Sequence, residues 1–155
     1  MKHYAQYYEV TAPQDYALFL TALPDLFVDT DLLCLEGARP PEKIDEFLNR
    51  HVIRLVKVPG GTVIPRPSHF YVPITRRIVN TLAELIITFS PDGCPEHTHV
   101  LRGGKLLLEW CDASASAPMF IASLIGEKAA TAFCAAIGSR IVCVPGNDKP
   151  FSKCS

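Results

Sequence analysis

A chain of 155 residues that is 48% hydrophobic and 20% charged is long enough to bury its own core and too apolar to be disordered. Fifteen Lys and Arg against sixteen Asp and Glu leave a formal net charge of -1, so no long-range field favours nucleic acid or an anionic membrane. No apolar run approaches the ~20 residues of a membrane span, and the first residues lack the apolar stretch of a secretory leader, so a cytoplasmic protein is expected, with one domain over residues 1–144 and a polar tail over 145–155.

Taken in order, the tyrosine-rich stretch His3 to Val10 predicts a first strand. Thr11 offers a capping oxygen ahead of Pro13, and Tyr16, Phe19, Leu20 and Leu23 recur at helical spacing up to Pro24. Asp31 to Glu36 reads as a buried strand that ends at Gly37. Pro40-Pro41 then opens a helix with Glu42 in its first turn, an apolar stripe of Ile44, Phe47 and Leu48, and His51 at its end. Val52 to Val58 alternates like a third strand. The prolines at 65, 67 and 73 confine the next strand, His69 to Val72, to a short or edge position, because proline has no N–H for a ladder.

The clearest helical periodicity follows, with Ile74, Ile78, Leu82, Leu85, Ile86 and Phe89 on one stripe. Glu96 to Arg102 and Lys105 to Cys111 are strand-length runs joined by Gly103-Gly104, a pair suited to the positive φ angles of a tight hairpin turn. Met119 to Ile125 predicts a further strand, the alanine-rich run Glu127 to Ile137 a helix closed by Gly138, and Arg140 to Val144 a last strand. This alternation predicts an α+β fold: a mixed, largely antiparallel sheet with helices packed on at least one face.

The hairpin carries the candidate site. A two-residue turn sets Leu101 against Leu106, His99 against Leu108 and His97 against Trp110, all on one face, whereas a three-residue loop shifts the pairing by one and separates these groups. His97 and His99, two residues apart on a strand, are candidate ligands for one metal ion, with Asp112, Glu96 or Cys94 as a third; packing against Trp110 with backbone hydrogen bonds is the competing role. Glu109 and Asp112 are candidate acid and base, or a solvated face. His97, His99, Glu109, Trp110 and Asp112 form the candidate binding set, with no catalytic residue and no metal committed. Cys111 near His97 allows a thiolate-imidazole pair, whereas Cys34, Cys134 and Cys143 sit in apolar runs that suit core thiols. Arg66, His69, Arg76 and Arg77 form a basic spot for an anion or an acidic partner.

No CxxC pair, no GxxxxGK[ST] loop and no other cofactor motif occurs. The expected function is therefore a small interaction or accessory module with a protein partner and without nucleic acid, membrane or cofactor. The alternatives are a metal-assisted hydrolase built on His97 and His99, and a small-molecule binding domain whose apolar pocket is closed by the long helix.

Overall fold

Along the second strand, alternate side chains point to opposite faces, and that alternation divides the whole molecule. The computed structural model describes residues 6–53, 68–91, 95–113 and 116–143. These form seven strands: β1 (Tyr7–Val10), β2 (Leu32–Gly37), β3 (Ser68–Pro73), β4 (His97–Arg102), β5 (Lys105–Trp110), β6 (Met119–Ala122) and β7 (Ile141–Cys143). The helices are α1 (Tyr16–Leu26), α2 (Glu42–His51), α3 (Arg76–Phe89) and α4 (Glu127–Ala136). The strand order is β3-β2-β4-β5-β6-β1-β7, and every pairing is antiparallel. The expected α+β architecture, helices packed on the sheet, is what the chain adopts.

Cross-strand partners share a face, so the registers assign the core. Leu33 lies between Val72 and Val100, Leu35 between Phe70 and Thr98, and Leu108 between Val100 and Ile121. Against them pack Phe19, Leu20 and Leu23 of α1, Ile44, Phe47 and Leu48 of α2, Val79, Leu82 and Ile86 of α3, and Phe133 of α4, in one apolar cluster. Cys34, Leu101 and Ala122 are equally buried but stand outside that cluster, on the other face.

Two local expectations shift. Thr11 does not cap α1; its hydroxyl accepts from Arg140 N at 3.0 Å, and its own N–H donates to Arg140 O at 3.0 Å. Asp15 caps instead, Oδ1 accepting from Leu18 N at 3.0 Å. The helix also runs on through Pro24 to Leu26, since this proline falls in the last turn and forfeits only one ladder bond. Most of the strand expected over Val52 to Val58, and the tail over 145–155, lie outside the described residues. Ile53, which is described, donates its N–H to Tyr71 O at 2.7 Å without forming a strand.

Candidate functional site

Gly103 and Gly104 take φ angles of +54° and +78°, so they form the tight turn their lack of a Cβ permits, and Arg102 pairs with Lys105 and Leu101 with Leu106. The next step differs from the unbroken pairing. A bulge between Val100 and Leu101 shifts the register, so Val100 opposes Leu108, His99 opposes Glu109 and Thr98 opposes Trp110. The bulge lets both Leu107 and Leu108 reach the apolar core. The expected face shared by His97, His99 and Trp110 is thereby corrected: the histidines join Glu109 on the far face, and Trp110 belongs to the core.

Trp110 is fixed there by specific contacts. Its ring stacks on Tyr16 at 5.8 Å and meets Phe19 edge-on at 5.3 Å, while Nε1 donates to Ala117 O at 2.9 Å. Tyr16 and Thr98 share a hydroxyl hydrogen bond of 2.9 Å beside it.

The far face carries two imidazole-carboxylate pairs. His69 Nε2 lies 3.4 Å from Glu36 Oε2, and His99 Nε2 lies 3.5 Å from Glu109 Oε1. Glu36, His99 and Glu109 are each at most 1% exposed. His97, opposite Glu36 in register, accepts a hydrogen bond from Asp112 N at Nδ1 over 3.1 Å, which places the proton of its neutral ring on Nε2. Asp112 therefore touches His97 through its backbone, in a left-handed turn at φ 52°.

Ligand-type atoms gather at two points, and the two histidines part company there. His99, Glu109 and Cys111 form one group with all atoms within 4.8 Å, and Glu96, His97 and Asp112 form the other. Cys111 is disulfide-bonded, so its sulfur is neither the thiolate ligand nor the nucleophile considered for it. A hydrolytic metal centre needs several ligands converging on one ion with a position open to water. Neither group brings two imidazoles together, and His99 and Glu109 are both buried.

The other thiols are quiet. Burial and the Glu36 carboxylate push the Cys34 thiol from 9.0 up to about 12, against a hydrogen bond with Tyr71 that works the other way. Burial pushes Cys134 up to about 11. The Tyr7 hydroxyl is also raised, by burial and then by Glu109 and Glu9.

The expected basic spot is redistributed. Arg76 pairs with Asp25 at 2.8 Å and His69 with Glu36, and Arg66 lies outside the described residues. Arg77 instead lines a groove of about 510 Å³ between α2 and α3 together with Lys43, Glu46, Arg50 and His51. Phe47, Ile78 and Leu85 supply its apolar surface. On α2 the groove is the ridge 43, 47, 50 and on α3 the ridge 77, 81, 85, both at helical spacing. Each ridge was visible in the sequence; that the two helices lie side by side was not.

No protein-family model, no curated protein and no solved structure matches this chain.

Proposed function

We propose that this domain is a protein-interaction module that docks an acidic, amphipathic segment of a partner in the groove between α2 and α3. The observation that carries the reading is the state of the arginines. Arg39, Arg76 and Arg102 are each matched by a carboxylate, at 3.1, 2.8 and 2.7 Å. Among the described residues Arg50, Arg77 and Arg140 have no such partner, and the first two line the same groove on facing helices. Lys43 reaches Glu46 at 3.7 Å on an exposed rim, a pair worth little in water. Cations around an apolar strip match a helix that alternates carboxylates with leucines, the charges setting orientation and on-rate and the apolar strip setting residence.

The test uses a synthetic helical peptide with Leu on one stripe and Glu beside it, and a control with Gln in place of Glu. Titration calorimetry should show the Glu peptide binding, weakening as salt rises, with Arg50→Glu/Arg77→Glu losing about tenfold or more in affinity. Equal binding of the Gln control, or an unaffected double variant, contradicts the proposal.

A cytoplasmic setting is part of the same proposal. The disulfide at Cys111 pulls the other way, because reducing compartments keep thiols reduced. Alkylation of the protein at the moment of cell lysis decides the point by showing whether Cys111 is blocked or free.

A further inference from the structure

We infer that a second site, separate from the α2/α3 groove, binds a small apolar molecule ending in a carboxylate. At the end of β2 the chain approaches Pro95 and Glu96 so closely that a Cβ on Gly37 meets Glu96 N at 2.9 Å. Beyond this crossing, β2, β3, α2 and α3 leave a cavity of about 200 Å³. Its walls are Leu35, Ile44, Leu48, Phe70, Leu82 and Ile86, with Glu36, Arg39, Pro40, Pro41 and Ser90 also lining it; the Glu36 carboxylate is engaged with His69 at 3.4 Å.

Protein interiors are close-packed, and voids larger than a water molecule are few. Most of this lining is apolar and offers ordered water few of the two to four polar partners it needs. An apolar cavity of about 150 Å³ accepts benzene, so the space here suits one ring with a short chain, or an alkyl chain of similar bulk. Arg39 sets the polar end of the ligand. Its side chain is 80% exposed, and its bond to Asp45 at 3.1 Å occupies one of five N–H donors. An exposed pair of this kind exchanges readily for a carboxylate held in a bidentate fork. The long helix α3 forms one wall, the arrangement anticipated for a small-molecule binding domain.

The probe is 3-phenylpropionate, with 3-phenylpropylamine as a matched control of opposite charge, followed by calorimetry and by ligand-observed saturation-transfer NMR. The acid should bind and the amine should not. Arg39→Gln should weaken the acid about tenfold, and Ser90→Leu, which fills the cavity from the end of α3, should abolish binding while circular dichroism shows an unchanged fold. Arg50→Glu/Arg77→Glu should bind the acid like the parent protein, which separates this site from the groove. The inference is overturned if the acid does not bind, if the amine binds equally, if either Arg39→Gln or Ser90→Leu has no effect, or if the groove variant loses the acid.

Discussion

Leu33 and Leu35 alternate along β2 with Cys34 and Glu36, and the two pairs end in different surroundings. The leucines face Val72, Val100, Phe70 and Thr98 beneath four helices, where burial alone is favourable. The cysteine and glutamate face Tyr71, His99, His69 and His97, where each carboxylate removed from water needs a partner to offset its desolvation. Both pairs are buried. One is held by apolar packing around a satisfied Tyr16–Thr98 hydroxyl pair, and the other by imidazole-carboxylate pairs that a hydrophobic replacement can match. The fold therefore rests on the first face.

The largest effect should therefore come from the core. Trp110→Ala removes contacts to Tyr16 and Phe19 and should cost about 3–5 kcal/mol in urea denaturation. A loss near 1 kcal/mol contradicts the assignment of Trp110 to that face.

Next is the carboxylate that bridges β4 to the start of β2. Asp31 is fully buried, accepts from Arg102 Nε and Nη2 at 2.7 Å each, and also caps Val28 N at 3.0 Å. Asp31→Ala should cost about 2–3 kcal/mol by the same assay, the range for hydrogen bonds to charged groups.

The far face gives a smaller and differently signed signature. Glu109→Leu alone removes the carboxylate beside buried His99 and should destabilise by about 1–3 kcal/mol, whereas His99→Leu/Glu109→Leu should recover most of that loss. Additive effects in this double-mutant cycle break the comparison, because they deny that the two groups act as a pair.

At neutral pH the thiols have the least effect, and theirs emerges only in alkali. Folding raises Cys34 from 9.0 to about 12 and Cys134 from 9.0 to about 11, so the folded state favours their neutral forms. Their contribution is complete below pH 9.0 and is lost as pH rises toward those folded values, at up to about 1.4 kcal/mol per pH unit for each thiol. Denaturation at rising pH reads that slope, and at pH 8 neither thiol should react with an alkylating reagent until the protein unfolds.

Much of this fold is legible in the sequence because local pattern and tertiary need agree. The stripe of Leu82 and Ile86 becomes the buried side of α3, proline at 73 marks the end of the edge strand β3, and Gly103-Gly104 turns the hairpin. The face of Trp110 was not legible. Period-2 alternation fixes a face only while pairing is unbroken, and the bulge beside Leu101 is set by the fit of Leu107 and Leu108 to helices far away in sequence. For the same reason HTH at 97–99 looked like one ligand pair, although its imidazoles meet different carboxylates. The groove was half legible: α2 shows Lys43, Phe47 and Arg50 on one ridge, but only packing sets Arg77 opposite.

The central functional claim is that the α2/α3 groove receives an acidic helix, and amide chemical-shift mapping with the Leu/Glu peptide tests it most directly. Titrated into isotope-labelled protein, the peptide should shift the amides of Lys43 to His51 and Arg77 to Leu85 while leaving the far-face strand residues around His69, Tyr71 and His99 unmoved. Shifts concentrated on that far face, or none at saturating peptide, contradict it.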